Sequence, residues 1–298
     1  MSNFQSQINQ VFENAMSTKH RGESQIVRTS PERYHNRPGI SSTQIRNALR
    51  CAQYAAFRNE VSEESPSLSL GEAIHAFVLD RDNEWKRFAV APNVDRRTKA
   101  GKEEWASFQE KNQGRKIIKQ DDFETVEGVM SALKQHPFVG GLLEKETKRE
   151  LSIFTPDPDD NSVMWKARFD LIDDSSDQPI IYDLKTCQTA SPGGFMSSIF
   201  KYNYHVQAAH YCNVFRLATG TTPRFRFIAV ETKRPYLVGV YELDEDSMAG
   251  GEAEVRRGIK RLKELDAESN VNNSGYGDDV IELSIPKWKL TEIAEATE

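Results

Sequence analysis

Residues 163–186, VMWKARFDLIDDSSDQPIIYDLKT, are the stretch that decides the fold, because two strand-like runs flank a turn there. Residues 163–171 alternate charged and apolar side chains, and residues 180–186 begin with a strongly apolar run. Residues 173–179 between them are rich in turn-forming Asp and Ser. Together with a third such run at residues 150–155, this pattern predicts a three-stranded antiparallel meander.

Helical patterns lie on both sides of the meander. The predicted helices cover residues 42–57, 70–79, 102–112 and 121–135 before it, and 204–219 and 244–267 after it. We expect the fourth to end at Pro137 and Gly140-Gly141, and the fifth to end at Gly220. A hairpin of residues 224–230 and 236–243 separates the last two. The chain therefore predicts an α/β (α+β mixed) fold in which helices flank a sheet.

The predicted core domain spans residues 40–268. Residues 1–39 are polar and lack a sustained period, so we interpret them as a flexible or accessory N-terminal arm. Residues 269–298 are interpreted as a linker rich in Asn, Ser and Gly that leads to a short C-terminal strand at residues 280–285.

The composition is that of an ordinary globular protein. The 298 residues are 38% hydrophobic and carry a formal net charge of −6, which argues against a protein that coats nucleic acid by bulk charge. Cys51, Cys187 and Cys212 show no paired spacing, which disfavours a disulfide framework, a zinc site and an iron–sulfur cluster. Because the chain shows no leader pattern and no apolar run of about 18 residues, we expect a cytoplasmic protein without a membrane partner.

Three of the charged residues on the two runs that flank the turn could form one site. If the turn is centred at residues 176–177, Asp170 lies directly across from Asp183, and the Cβ atoms of such neighbours are about 4.5–5.5 Å apart. Lys185 shares a strand face with Asp183, because side chains alternate along a strand. The two carboxylates could therefore hold one hard cation beside the lysine.

The preceding turn brings a further carboxylate to the same face, because a similar count places Glu150 across from Arg168. Mg²⁺ prefers oxygen ligands and can be held by one or two carboxylates plus a substrate phosphate; we expect that Mn²⁺ can substitute for it. Lys185 could then orient an attacking water or neutralise developing charge. This combination indicates phosphodiester hydrolysis.

Each of these residues also has a simpler explanation. Asp183-Leu184-Lys185 is a short motif that arises by chance on edge strands, and Asp170 could be a turn residue. His75, at the border of the apolar face of its helix, could be an ordinary buried histidine. Gln207 and Tyr211 lie at i and i+4, so they share a helix face, as many pairs in amphipathic helices do. However, Asp183 ends a strongly apolar run. Burying a charged side chain is unfavourable, so a charge in such a place usually serves a function.

Several separate motifs between about residues 40 and 243 resemble one known family. Residues 70–75, Leu-Gly-Glu-Ala-Ile-His, resemble the Gly-x-x-x-His helix of RecB-like and RecE-like nucleases. Asp170 with Asp183-Leu184-Lys185 resembles the two acidic positions and the lysine of the PD-(D/E)XK superfamily, although Phe169 stands where the nominal proline is expected. Gln207 and Tyr211 resemble the Gln-x-x-x-Tyr signature. Three further segments resemble the exonuclease VIII (RecE-like) branch, namely residues 96–102, 202–209 and 227–231.

The resemblance implies a restriction-endonuclease-like core with a central mixed β-sheet and an antiparallel meander. It implies that His75, Asp170 and Asp183 are metal ligands, with the Leu184 carbonyl as a fourth. Lys185 would be the catalytic lysine, and Glu150 would assist the metal or the active-site network.

The resemblance also implies a substrate. Gln207 and Tyr211 would orient the site and meet DNA. The other residues that would meet DNA are Arg96, Arg97, Lys99 and Lys102, although an isolated basic segment of this kind is more often a solvated turn. Related enzymes degrade linear double-stranded DNA 5′-to-3′, often as ring-shaped homo-oligomers, and leave a 3′ single strand for an annealing recombinase. The alternatives are an endonuclease or single-strand-specific nuclease of the same fold, and a catalytically silent DNA-binding protein.

Overall fold

The computed structural model describes residues 23–51, 54, 66–79, 84–161, 163–267 and 280–295. In chain order the strands are β1 (Gln25–Arg28), β2 (Phe88–Val90), β3 (Lys116–Ile118), β4 (Lys148–Pro156), β5 (Met164–Asp173), β6 (Ile180–Cys187), β7 (Arg224–Glu231) and β8 (Val238–Glu242). The helices are α1 (Pro31–Asn36), α2 (Ser42–Arg50), α3 (Pro66–Leu79), α4 (Lys99–Lys111), α5 (Gln120–Gln135), α6 (Pro137–Glu144), α7 (Pro192–Tyr202), α8 (Tyr204–Thr219), α9 (Glu245–Ala267) and α10 (Lys287–Glu295).

Within these ranges, six strands form one sheet in the order β1-β4-β5-β6-β7-β8. β4, β5 and β6 are antiparallel neighbours, which confirms the predicted meander. β6 and β7 run parallel and are joined through α7 and α8, the kind of crossover that parallel strands require. The β1–β4 and β7–β8 pairs are antiparallel. The sheet is therefore mixed, and the predicted mixed α/β fold is confirmed.

Helices cover both faces of this sheet. On one face, Phe169 of β5 packs in a core with Phe215 of α8, to which α2, α7 and α9 also contribute. On the other face, Leu184 of β6 packs in a second core with Ile74 of α3, to which α5 and α6 contribute. Because Ile181 joins the first core and Leu184 the second, β6 is buried on both faces, which explains its continuous apolar run.

The folded part of the chain begins earlier than predicted. β1 pairs with β4, from Gln25 opposite Phe154 to Arg28 opposite Leu151, and α1 follows with Ser30 as its N-cap. The prediction of an arm over residues 1–39 is therefore corrected from residue 23 onward, where the structure describes the chain. A strand of 4 residues is too short to show a period of its own, so its partner β4 specifies it.

Lys166 of β5 fastens this N-terminal segment to the sheet. The residue is only 2% exposed. Its Nζ donates to the carbonyl oxygens of Tyr34 at 3.0 Å, His35 at 3.3 Å and Arg37 at 2.5 Å. These carbonyls lie at the C-terminal end of α1, where unpaired carbonyls favour a cation. The buried ammonium group thus caps the helix and docks it.

Substituting Lys166→Met should destabilise the fold by about 1.5–3 kcal/mol, the contribution of hydrogen bonds to a charged group. Urea unfolding would measure the loss. Lys145→Met is a suitable control, because the Lys145 side chain is 57% exposed and pairs with Asp173 at 3.3 Å; its cost should stay below about 1 kcal/mol. Equal costs for the two substitutions would contradict the docking role.

A second correction concerns the Gly140-Gly141 pair, which was expected to end a helix. α5 does end before Pro137, but α6 begins there, because proline is favourable in the first turn of a helix. Gly140 then allows a close approach, since a Cβ at this position would lie 2.2 Å from the Lys134 carbonyl oxygen. Gly140 therefore serves packing within a helix, and the glycine pair does not break this helix.

The predicted strand at residues 280–285 is wrong. Residues 280–286 have no regular structure and lead into α10, while Val280 and Leu283 are exposed. A strand needs a neighbouring strand, and the described part of the chain supplies none there. The helix predicted over residues 42–57 ends at Arg50 in the structure, and the predicted linker at residues 269–277 lies outside the described ranges. Among the described helices, none is both long enough and apolar enough to cross a bilayer.

Candidate active site

The site lies where β5 and β6 separate. Their antiparallel ladder follows the predicted register but ends at Leu171 and Tyr182, one step before Asp170 and Asp183. There the Leu184 N–H donates to Asp170 Oδ2 at 2.7 Å instead. Because the N–H and C=O of one strand residue point to the same side, the Leu184 carbonyl also faces this gap. Its role as a metal ligand stays a prediction.

β4 brings Glu150 to the same place, in a register that differs by two residues from the predicted one. Ser152, and not Glu150, lies opposite Arg168. A shift of two residues keeps a side chain on the same face, and Glu150 forms an ion pair with Arg168. The Glu150 backbone has a φ of 53°, a left-handed conformation that is uncommon for a non-glycine residue and that clusters at functional sites.

His75 of α3 completes a group of side chains that could hold a metal. Its Nδ1 lies 3.5 Å from Asp170 Oδ1. One ligand atom from each of His75, Glu150 and Asp170 lies within 4.8 Å of the other two, and all three residues are partly buried. Two carboxylates and one imidazole are a donor set that suits Mg²⁺ or Mn²⁺.

Asp183 and Lys185 form the other half of the site. Lys185 Nζ lies 2.5 Å from Asp183 Oδ2, and Gln207 Nε2 donates to Asp183 Oδ1 at 3.0 Å. Gln207 belongs to α8, so Asp183 is held from the sheet face opposite α3. Among the described residues, Asp183 does not belong to the group formed by His75, Glu150 and Asp170. Its two oxygens contact the Lys185 ammonium and the Gln207 amide instead. Its predicted role as a ligand therefore stays a prediction.

The two aspartates differ in their electrostatic surroundings. Burial opposes ionisation of Asp170, but the charge and hydrogen bond of His75 outweigh it and hold the pKa of Asp170 below its usual value. Burial also opposes protonation of His75, yet Asp170 outweighs it and raises the pKa of His75. Burial raises the pKa of Asp183, although Lys185 opposes this effect. A cation between the two carboxylates would favour the ionised form of both.

Gln207 and Tyr211 lie beneath the site. Gln207 is 6% exposed and Tyr211 8% exposed, and the Tyr211 ring packs against Phe169 with 5.1 Å between centroids. Burial raises the pKa of Tyr211 well above its usual value, so its hydroxyl stays protonated. The expectation that these two residues meet DNA stays a prediction. The hydrogen bond from Gln207 to Asp183 suits the predicted role of Gln207 in orienting the site.

The basic segment before and at the start of α4 is exposed. Arg96, Arg97, Lys99 and Lys102 all face solvent. Trp105 packs locally, because the Arg96 guanidinium lies 3.4 Å from its ring centroid. The four cations are accessible to a phosphate backbone, and their contact with DNA stays a prediction.

Tyr204 adjoins the site, although the motifs assign it no role. Its ring centroid lies 4.9 Å from Lys185 Nζ. Tyr204 begins α8 directly after Asn203, whose φ of 51° and ψ of 47° are left-handed. The contact depends on this break between α7 and α8. Its sequence signal is the asparagine, a residue type that tolerates the left-handed conformation.

The sequence from residue 41 to residue 276 matches the family described as "PDDEXK-like domain of unknown function (DUF3799)". The chain belongs to this family. The match covers the meander, both aspartates, Lys185 and His75, so the PD-(D/E)XK superfamily suggested by the motifs is confirmed. No curated protein matches the sequence.

Two solved structures are similar to this chain to different degrees. One is a protein named "Putative exonuclease" from Eubacterium rectale, at 13% identity and a TM-score of 0.56, covering 89% of this chain and 98% of that chain. The protein SSO0001 is more distant, at 11% identity and a TM-score of 0.37, with 87% of each chain covered. The first similarity supports the PDDEXK-like fold, and the second is too low to bear on it.

Proposed function

We propose that this protein is a metal-dependent exodeoxyribonuclease that degrades linear double-stranded DNA. The observation that carries the proposal is the group of His75, Glu150 and Asp170 beside the Asp183–Lys185 pair, in a chain of the PDDEXK-like family. A carboxylate-rich group beside an ammonium suits hydrolysis of a phosphodiester, which needs both a cation site and a positive charge near the phosphate.

The side chains present fit a divalent cation. Asp170 and Glu150 supply oxygens, His75 supplies a nitrogen, and the ligand atoms are already within 4.8 Å of one another. A cation there would polarise a phosphoryl oxygen and lower the pKa of an attacking water. Asp183 could join as a ligand if its Oδ2 exchanged Lys185 for the cation. We favour Mg²⁺, with Mn²⁺ as a substitute.

The chain's own residues have distinct tasks in this proposal. Lys185 neutralises charge that develops on the phosphate or holds the attacking water by a hydrogen bond. Gln207 keeps Asp183 in place through its 3.0 Å hydrogen bond. Arg168 keeps Glu150 in place through their ion pair. Residues that hold metal ligands in this way typically change activity by about 10–100-fold when substituted.

Digestion of labelled DNA tests the proposal. With Mg²⁺, purified protein should release nucleotides from linear duplex, the 5′ label first, and leave closed circles intact; EDTA should abolish release because the cation is removed. Ca²⁺ should support binding with little cleavage, since its coordination shell is larger and looser. Early loss of the 3′ label would overturn the direction. Cut circles would indicate an endonuclease, and no cleavage of any substrate would indicate a silent DNA-binding protein.

The exonuclease VIII-like motifs at residues 96–102, 202–209 and 227–231 motivate the finer parts of the proposal. They support 5′-to-3′ digestion, a ring-shaped homo-oligomer, and a 3′ single strand passed to an annealing recombinase. The exposed cations of the first segment suit a role in guiding a DNA end toward the cation site.

A further inference from the structure

Two tyrosines form a stack that runs from Lys185 to the protein surface. The Tyr204 ring centroid lies 4.9 Å from Lys185 Nζ. The Tyr202 ring stacks on Tyr204, with 5.5 Å between centroids and 29° between planes. Tyr202 is 46% exposed. An aromatic surface therefore begins beside the proposed catalytic lysine and ends in solvent.

A break in the chain builds this stack. Residues two apart on a continuous helix do not face each other. Tyr202 ends α7, Tyr204 begins α8, and Asn203 between them is left-handed with a φ of 51°. Beneath the stack, Tyr204 packs against Phe195 and Phe227, with centroids 6.3 Å and 6.0 Å away. The inner ring is thus fixed by the core, and the outer ring is held against it.

Cations flank the outer ring. Lys201 Nζ lies 5.1 Å from the Tyr202 ring centroid, and Arg46 Nη1 donates to the Tyr202 carbonyl oxygen at 3.0 Å. Exposed aromatic rings among basic side chains are how proteins bind unpaired nucleic acid, because bases stack on the rings while cations attract the phosphates. Both kinds of group lie here next to Lys185.

We propose that Tyr202 and Tyr204 form a platform on which one unpaired base stacks while an adjoining phosphate lies at Lys185. This inference rests on the proposed nuclease function and narrows the substrate. The strand to be cut enters the site unpaired beside the scissile bond, so the terminal base pair of a duplex must open first. Every base has a π face, so the platform accepts any sequence.

An abasic scan tests the platform. In this test, wild-type protein with Mg²⁺ acts on a linear duplex oligonucleotide with an unpaired 5′ end, and on the same oligonucleotide with one abasic (tetrahydrofuran) residue at each position beside the cut. At one position the abasic residue should slow cleavage about 5- to 150-fold, the range for one base–aromatic stack. Tyr202→Ala should bring the ratio of the two cleavage rates, intact over abasic, close to one. Tyr202→Phe should retain the ratio, because the phenyl ring still stacks.

The matched control is Phe200→Ala. Phe200 is 66% exposed on α7 and lies outside the tyrosine stack, so its removal should leave the ratio unchanged. The platform is overturned if the ratio of cleavage rates in wild-type protein is close to one at every position. It is also overturned if Tyr202→Ala retains the ratio, or if Phe200→Ala abolishes it as well. If wild-type protein cleaves no DNA, the nuclease function fails by itself. Fluorescence anisotropy then measures how tightly the intact and the abasic oligonucleotides bind. The ratio of the two dissociation constants takes the place of the ratio of cleavage rates, and the same three outcomes decide whether the platform exists.

Discussion

Lys185→Met should reduce DNA hydrolysis by about 10²–10³-fold, the cost of removing one preorganised group that stabilises developing charge. Lys185 Nζ is the cation that contacts buried Asp183, at 2.5 Å. Methionine keeps the length of the side chain but supplies no charge to the phosphate. Initial rates on end-labelled duplex would measure the loss, and thermal melting would show whether the protein remains folded.

The control for this substitution is Lys148→Met. Lys148 Nζ lies 2.6 Å from Asp174 Oδ2 and its side chain is 21% exposed, against 15% for Lys185, so the two pairs have similar geometry and burial. Lys148→Met should change the rate by less than a few-fold. Full activity in Lys185→Met, or an equal loss in Lys148→Met, would remove the catalytic role assigned to Lys185.

Sequence alone predicted much of the fold because its main elements have strong local patterns. The helix Tyr204–Thr219 has its predicted bounds, and Gly220 caps it in the left-handed conformation. The meander has its predicted strands because alternation and turn residues agree there. By contrast, β1 and the buried Lys166 depend on contacts between distant segments, which no local pattern encodes.

The site was predicted less completely than the fold. His75, Asp170 and Glu150 lie close together, as the motifs and the pairing of residues across the predicted turns suggested. Pairing residues across the turn could not show that β5 and β6 separate before Asp170. The separation depends on the Asp170 side chain accepting a hydrogen bond that a backbone carbonyl would otherwise accept. Such pairing also could not show that Gln207 is buried beneath Asp183, since burial depends on how α8 packs on the sheet.

Asp170→Asn should abolish both cation binding and DNA hydrolysis. Asparagine can still accept the hydrogen bond that the Leu184 N–H donates at 2.7 Å, so the backbone should stay in place. However, a neutral amide removes the negative charge from the group with His75 and Glu150. Wild-type protein should gain about 2.7 kcal/mol of stability at a Mn²⁺ concentration 100 times the dissociation constant, seen as a rise in melting temperature. Asp170→Asn should show no such rise.

Asp174→Asn provides the control, because Asp174 pairs with Lys148 in the turn between β5 and β6 and lies outside the group. It should retain the Mn²⁺-induced rise in melting temperature and the activity. Glu150→Gln then identifies the third ligand. If this variant loses the Mn²⁺-induced rise in melting temperature while Asp183→Asn retains it, the cation lies among His75, Glu150 and Asp170. The reverse pattern places it between the two aspartates, as the motif resemblance implies. A full rise in Asp170→Asn would contradict both arrangements, since Asp170 belongs to each.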